Sequence, residues 1–375
     1  MKVLMINVVC GIRSTGRICT DLAADFEAKG DQVFIAYGRE AVPKEYDHNV
    51  VRIGSETGVR YNALSARIFD NDGFCAHRAT KEFLDWADTY DPDLLWLHNL
   101  HGYYLDIEQL FAWIKSRPSM KVKWTLHDCW SFTGHCAYFS FAKCEKWRDG
   151  CHDCAQKRAY PTSFLLDRSK ENYQKKKAAF TGVRDMTLIT PSNWLAGLVK
   201  QSFLKAYPVE VHYNRINTSI FKPTPSDFRE RYHLKNKKIV LGVASTWEKR
   251  KGLDDFIKLS TMLDNEYVVV LVGLTEKQIQ EIPKRILGIR ATNSAKELAM
   301  IYTAADVFLN PTYEDNYPTV NLEAKACGTP VVTYNTGGSP ESVEADCVFE
   351  PGDLEGAAAK IIELCEKRNG SAKEE

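Results

Sequence analysis

The opening residues commit this chain to a parallel sheet. Lys2–Val9 is a short apolar run that ends in a polar loop, Cys10-Gly11-Ile12-Arg13-Ser14-Thr15-Gly16-Arg17. Ile18, Leu22, Ala23 and Phe26 then recur at helical spacing, Gly30 stands where such a helix stops, and Gln32–Tyr37 reads as a second strand. Strand, glycine loop, helix, strand is the βαβ unit, whose crossover helix leaves its two strands parallel. Asp93–His98 and Lys121–His127 read as further short strands. Sheets of this kind gather functional side chains at the carboxyl ends of their strands, which is where His98, His101, His127 and Asp128 fall.

The alternation breaks and then restarts. Residues 129–185 are rich in cysteine, aromatic and basic residues and end in a helix-like Ser169–Phe180 that carries Lys175-Lys176-Lys177. Thr187–Pro191 resumes as a strand and Asn193–Phe203 as a helix. After a pause near Tyr207-Pro208, the strand Ile239–Ala244 opens a second series. Helix Leu253–Leu263, strand Tyr267–Val272, helix Lys296–Ala304, strand Val307–Asn310, helix Val320–Ala326, strand Pro330–Thr333 and helix Ala357–Glu366 follow. The expected architecture is α/β, two doubly wound domains over 1–208 and 209–375, with a Cys-rich insertion near 129–160 in the first. A length of 375 residues with 44% hydrophobic residues suits two cores.

Charge narrows the function classes. Lys+Arg 49 against Asp+Glu 49 leaves no basic footprint for a nucleic acid, so that class of partner is not expected. Residues 1–208 hold 28 Lys+Arg and 24 Asp+Glu, a balance of +4, which would suit an anionic surface and equally an ordinary domain. Met1–Cys10 is apolar but short and lacks a cleavage-like site, and no stretch approaches the ~20 apolar residues of a spanning helix. A cytoplasmic chain with reduced cysteines is expected.

The most informative segment is Pro311-Thr-Tyr-Glu-Asp-Asn-Tyr-Pro-Thr-Val-Asn-Leu-Glu323-Ala-Lys-Ala-Cys-Gly-Thr-Pro330. A strand feeds a polar loop, and Pro318-Thr319 opens a helix whose first backbone N–H groups suit a phosphate. Glu323 lies one turn inside that helix, where a carboxylate can accept both hydroxyls of a ribose. A second loop, Thr246-Trp247-Glu248-Lys249-Arg250-Lys251-Gly252, ends the first strand of the second series and places cations where a diphosphate could sit. Solvated surface charges would be the plain alternative for either loop taken alone.

Together these motifs resemble the retaining glycosyltransferases of the GT-B fold, family 4 type. Their mark is an acidic residue, seven residues, a glutamate, then Ala-x-Ala-x-Gly-x-Pro. Here that is Asp315, where Glu is usual, and Glu323 with Ala324-Lys-Ala-Cys-Gly-Thr-Pro. More narrowly the chain is similar to bacterial capsule and exopolysaccharide enzymes of the colanic-acid type, through Ser14-Thr15-Gly16-Arg17, Leu97-His98-Asn99-Leu100-His101-Gly102, Trp124-Thr-Leu-His127-Asp128-Cys-Trp130 and Gly337-Gly338-Ser339-Pro340-Glu341.

The resemblance implies two Rossmann-like domains facing across a cleft, acceptor side first and donor side second. It implies transfer from a nucleotide diphosphate sugar to a hydroxyl of a saccharide, of a kind commonly carried on a polyprenyl diphosphate at the inner membrane face. Lys251 would hold the diphosphate, with Arg250 in place of an arginine that relatives carry where this chain has Ser245-Thr246. Glu323 would take the ribose; Asp315, Asn316 and His127 the sugar; Tyr317, Pro318, Thr319 and Val320 the phosphates through backbone; and Gly16 would admit the donor closely. His98, His101 and Asp128 would line the acceptor side. Relatives continue for further helices, so a looser hinge is expected. Two other functions share the architecture: a nucleotide-sugar epimerase and a non-catalytic nucleotide-sugar binder.

Five of eleven cysteines lie between Cys129 and Cys154. Cys136-x7-Cys144-x6-Cys151-x2-Cys154 suits a structural zinc closed by four thiolates, with Cys129 and His135 in reserve, and suits four metal-free thiols as well. No acidic pair reads as a Mg²⁺ site, so no cofactor is expected for catalysis. Reversible, salt-sensitive association with anionic membrane is expected through Lys175-Lys176-Lys177 and the aromatics of Trp130–Phe141 and Phe164.

Overall fold

A computed structural model describes residues 1–371. The chain forms two compact units, Met1–Tyr213 and Asn214–Glu375. The first contains β1 (Lys2–Asn7), α1 (Arg13–Glu27), β2 (Gln32–Tyr37), β3 (Val50–Arg52), α2 (Glu56–Phe69), α3 (His77–Tyr90), β4 (Leu94–Leu97) and α4 (Ile107–Lys115). It continues through β5 (Lys121–Thr125), α5 (Ser169–Phe180), β6 (Met186–Thr190), α6 (Asn193–Val199) and β7 (Val209–Val211). Its seven-stranded sheet has the order β3-β2-β1-β4-β5-β6-β7, with all pairs parallel.

The second unit contains α7 (Phe228–Arg231), β8 (Lys238–Val243), α8 (Leu253–Met262), β9 (Tyr267–Val272), α9 (Glu276–Glu281), β10 (Ile286–Ile289) and α10 (Ala295–Ala304). It ends with β11 (Val307–Asn310), α11 (Thr319–Ala326), β12 (Val331–Tyr334), β13 (Val348–Phe349) and α12 (Leu354–Ser371). Its sheet is again parallel, in the order β10-β9-β8-β11-β12-β13. Strands buried on both faces explain the unbroken apolar runs of the sequence. Val240 packs with Phe256 and Leu259 on one face, while Ile239 and Leu241 pack with Tyr302 and Phe308 on the other.

Both sheets reverse their winding at one point, between β1 and β4 and between β8 and β11. The loops that follow those four strands therefore diverge and leave a crevice at the carboxyl edge.

Three expectations change. The boundary lies at 213/214 rather than 208/209, because Val209–Val211 pairs with Leu188–Thr190 as the last strand of the first sheet. Helix α12 runs on through Lys367 and Arg368 instead of ending at Glu366, and the Arg368 guanidinium donates to the carbonyl of Ala305 at 2.8 Å. The lysine run is not wholly a surface patch: Lys175 and Lys177 are exposed, but Lys176 is not. Lys176 is 1% exposed, donates to the carbonyl of Trp130 at 2.8 Å and lies over that indole ring, while Lys175 pairs with Glu108 at 3.1 Å. Trp130, Phe132 and Phe139 are buried as well. The insertion between β5 and α5 is mostly irregular, with a short 3₁₀ turn at Trp130–Phe132.

Candidate functional site

In the second unit, the loops after β8 and β11 are locked to each other. The carbonyl of Arg250 accepts from the backbone N–H of Tyr313 at 2.7 Å and from the hydroxyl of Thr312 at 3.3 Å. Gly252 turns the first loop in the left-handed region (φ +74), and a Cβ there would stand 2.3 Å from the carbonyl oxygen of Pro311. Only glycine permits that approach. The result is an ion pair, Lys251 Nζ to Asp315 Oδ2 at 2.5 Å, with both side chains about one-fifth exposed (21% and 19%).

Arg250 uses its guanidinium on Glu248, at 3.0 Å, and on the carbonyl of Glu314, at 3.4 Å. It holds the loop that carries Asp315. Beneath that loop, Asn310 donates to Asn321, which donates to Ser342 at 2.9 Å, and Thr336 donates to the carbonyl of Thr312 at 2.6 Å. Gly337 (φ +56) faces the carbonyl oxygen of Asp315 so closely that a Cβ would lie 1.8 Å from it. Gly337 thus makes room for the acidic loop.

Pro318 caps α11 in an extended conformation and lends no side-chain bond to its first N–H groups. The carbonyl of Tyr317 accepts from Asn214 at 3.0 Å, and the backbone N–H of Asn316 donates to Asp315 Oδ1 at 2.8 Å. Thr319 and Val320 form the first turn, and Glu323 follows in the second, buried, with Oε2 accepting from the hydroxyl of Tyr302 at 3.1 Å. Burial and that carboxylate push the Tyr302 phenol well above its usual range, so it remains a donor. Tyr302 had no signal in the sequence, where it reads as one more apolar position of α10.

The first unit collects His98, His127, His101 and Asp128 at the ends of the adjacent strands β4 and β5. His98 Nδ1 and His127 Nε2 are 3.0 Å apart, so one ring donates to the other. Burial, with His127 beside it, holds His98 well below the ordinary imidazole range, and burial lowers His127 to about 4 against the pull of Asp128. Both are neutral near pH 7. His101 is the opposite case. Burial disfavours its charge, but Asp128 and Asp72 outweigh that and raise it. Asp128 is lowered because His101 and the backbone N–H of Trp130 outweigh its own burial. The His101 ring donates through Nε2 to Asp128 Oδ2 at 2.7 Å, and its Nδ1 lies 2.9 Å from the Tyr160 hydroxyl. Asp72, which also accepts from the backbone N–H of Tyr103 at 2.9 Å, is a part of this cluster that lacks any local motif.

Gly16 lies inside the first turn of α1, not in an open loop. Its carbonyl accepts from the backbone N–H of Gly11, and a Cβ would stand 3.2 Å from that nitrogen. The close approach it allows here is that of the loop to its own helix.

Cys136, Cys144, Cys151 and Cys154 line one cavity together with His135 and Trp147. A hydrogen bond from the Cys136 thiol lowers Cys154 to about 7, while burial raises Cys151 to about 11. His135 Nδ1 contacts Asp70 Oδ1 at 2.5 Å. The donor chemistry suits a soft cation, but the placement does not complete a site: among the described residues, no three His, Cys, Asp or Glu side chains gather as a metal-holding group.

Comparison with known proteins agrees with this fold. Residues 237–367 match the family model described as "Glycosyl transferases group 1". A protein named as a colanic acid biosynthesis glycosyl transferase, WcaC of Escherichia coli K12, is 26% identical over 207 residues, 52% of this chain and 50% of that protein. The match therefore spans half of the curated relative. Among solved structures, sucrose-phosphate synthase from Thermosynechococcus elongatus superposes with a TM-score of 0.70 at 18% identity, over 97% of this chain and 89% of that one. Anabaena HepE in complex with UDP-glucose gives 0.60 at 16%, over 98% and 91%. At such identity the likeness speaks for the fold alone: the chain has the two-unit, parallel-sheet GT-B fold, and its second unit carries a stretch that matches the group 1 glycosyl transferases.

Proposed function

We propose that this chain transfers a glycosyl group, with retained configuration, from a nucleoside diphosphate sugar to a hydroxyl of a saccharide in the assembly of a capsule or exopolysaccharide. The observation that carries the proposal is the Lys251–Asp315 pair and buried Glu323 gathered at the winding reversal of the second sheet. The similarity to a relative named for colanic acid biosynthesis supports the acceptor class, and the structural neighbour holding UDP-glucose supports the donor class.

In this reading Glu323 accepts from the ribose hydroxyls and Lys251 offsets the charge that grows on the departing diphosphate, the kind of electrostatic assistance that is usually the largest in such chemistry. The start of α11, from Tyr317 to Val320, adds backbone N–H groups and the positive end of the helix dipole. Asp315 and Asn316 hold the sugar. The bond from the anomeric carbon to the phosphate oxygen breaks and one to the acceptor oxygen forms on the same face. The acceptor proton passes to the leaving phosphate. His127, which burial keeps neutral and which pairs with His98, is proposed as a sugar contact contributed by the first unit, and the His101–Asp128 pair fixes the loop beside it.

The acceptor class proposed is a saccharide on a polyprenyl diphosphate. Closure of the four cysteines around a structural zinc is proposed as a rearrangement of the placement described above, and no step of transfer is assigned to it. Incubation with UDP-, GDP- and dTDP-sugars and a saccharide acceptor tests the whole reading. Transfer is expected. Interconversion of the free donor would make the chain an epimerase, and donor binding without turnover would make it a binder.

A further inference from the structure

Arg39 is a half-buried cation without a counterion. It follows β2, and its backbone N–H donates to the carbonyl of Val8, just past β1, at 2.9 Å, which places it at the carboxyl edge of the first sheet. The neighbouring acid, Glu40, pairs with Arg13 at 2.6 Å. Among the described residues no carboxylate or carbonyl accepts from the Arg39 guanidinium. What it meets is a ring: the guanidinium carbon is 5.9 Å from the centre of Tyr103, and its stem passes Gly102, where a Cβ would stand 3.7 Å from Arg39 Cδ. A cation partly withdrawn from water ordinarily has an acid beside it.

Tyr103 is held where an unconstrained residue would not stay. Its backbone lies in the left-handed region (φ +71), which a bulky side chain adopts only when its surroundings enforce it. Asp72 Oδ1 accepts from its N–H at 2.9 Å, and the buried amide of Asn62 donates to its carbonyl at 3.0 Å. The side chain is 6% exposed, yet among the described residues its hydroxyl has no hydrogen-bond partner. Burial, with Asp72 behind it, pushes the phenol above its ordinary range against Arg67 and Arg39, so it remains a donor. Two buried polar side chains thus enforce a strained backbone, and the outcome is a phenol beside a guanidinium, both donors and neither satisfied.

Such a pair calls for an oxyanion. The guanidinium fork takes two oxygens at once; a carboxylate then has none left for the phenol, whereas a phosphate has a third. Asp72, the acid that acts on the phenol, is buried and spends itself on the backbone N–H groups of Gly102 and Tyr103. Arg39 and Tyr103 also act on Tyr160, whose hydroxyl lies 2.9 Å from His101 Nδ1. The pair therefore adjoins the histidine cluster at the ends of β4 and β5.

We propose that the Arg39 guanidinium and the Tyr103 hydroxyl form a subsite for a phosphate group, the one attached to the acceptor saccharide. Calling that phosphate the acceptor's rests on the transferase reading; the subsite itself does not.

The test is equilibrium titration of the full chain, kept saturated with UDP, with inorganic phosphate, glucose 1-phosphate and acetate. Both phosphates are expected to bind, and acetate at least about tenfold more weakly. Arg39→Gln should weaken both phosphates about tenfold or more, and Tyr103→Phe, which keeps the ring and the backbone, severalfold, each with native melting temperature and native UDP affinity. Equal binding of acetate and phosphate, or wild-type phosphate affinity in Arg39→Gln, overturns the proposal. So does phosphate binding that Lys251→Ala abolishes and Arg39→Gln retains, because the phosphate then sits in the loop after β8. Wild-type affinity in Tyr103→Phe overturns the shared subsite, and binding of inorganic phosphate without glucose 1-phosphate overturns its assignment to a saccharide. Turnover of UDP-, GDP- and dTDP-sugars by the same samples reports separately: absence of transfer with Arg39-dependent phosphate binding sinks the transferase reading, and the acceptor's name with it, and leaves the subsite standing.

Discussion

Lys251 Nζ lies 2.5 Å from Asp315 Oδ2, across the crevice left by the loops that follow β8 and β11. The carboxylate holds the ammonium at the place where a diphosphate would need it, and a bound diphosphate would compete for it. Lys251→Ala should lower kcat about 100-fold with a smaller change in donor binding, since the lysine acts on charge that develops in the transition state. Asp315→Asn keeps the shape and frees the lysine. UDP affinity by calorimetry should hold or tighten while kcat falls. Weaker UDP binding in Asp315→Asn would mean that the carboxylate positions the lysine rather than competing for it.

Glu323→Gln tests the ribose contact. The amide oxygen can still accept from Tyr302, so the buried pair persists and the melting temperature should change little. Charge-assisted hydrogen bonds to the ribose are lost, each worth about 1.5–3 kcal/mol, and donor KM should rise at least about tenfold. An unchanged KM would remove Glu323 from the donor site.

Gly337→Ala tests the support beneath the acidic loop. Its Cβ would lie 1.8 Å from the carbonyl oxygen of Asp315, and φ is +56. The loop must move, at a cost of about 1–3 kcal/mol in stability. Donor binding should fall as well, since Asp315 and Asn316 move with it. A variant with native melting temperature and native kinetics would show that the loop tolerates displacement.

The sheets were legible from sequence because parallel strands buried on both faces leave unbroken apolar runs, as at Leu94–Leu97 and Val331–Tyr334. The loops after β8 and β11 were legible for a related reason: Gly252, Pro318 and Gly337 are punctuation that a crevice between strands requires. Helix α2 escaped because it directs Tyr61 and Leu64 outward while only small or short residues such as Val59 and Ala66 reach the core, so its periodicity is weak. Lys176 was misread for the opposite reason. Three lysines in a row suggest a wet face, but position 176 falls on the inner side of α5, where the Trp130 carbonyl and ring replace water. His101 is raised first by Asp128 and then by Asp72, and Asp72 lies far away in the chain, where no local pattern could place it beside the histidine.

The cysteine cavity yields to metal analysis of protein purified without chelator. About one zinc per chain is expected if the four thiols close around a cation. Cys151→Ser should then lose the metal and lower the melting temperature, while UDP binding persists, because the cavity and the Lys251 loop belong to different units. A metal-free preparation of full stability would leave four thiols held by burial and by the Cys136–Cys154 hydrogen bond, and the zinc proposal would be lost.

The histidine pair makes stability depend on pH in a stated direction. His127 titrates at about 4 in the folded chain, and His98 is also well below the ordinary imidazole value of 6.5. Unfolded, both titrate near about 6.5. Between those limits the unfolded chain binds more protons, so stability rises with pH across the window and is lost on acidification through it. The His101–Asp128 pair does not produce that slope. His101 is raised, so its contribution is complete below the unfolded value and fades only as pH rises through its folded one. Asp128 is lowered, so its contribution holds above the ordinary value of 3.8 and fades as pH falls through its folded one. The melting temperature should therefore fall between about pH 7 and about pH 5. His127→Gln, which can still pair with His98, should flatten that fall, and adding His98→Gln should flatten it further. An identical pH dependence in the double variant would show that these rings carry water or charge in the folded chain, and the neutral His127 assigned to the sugar would have to be given up.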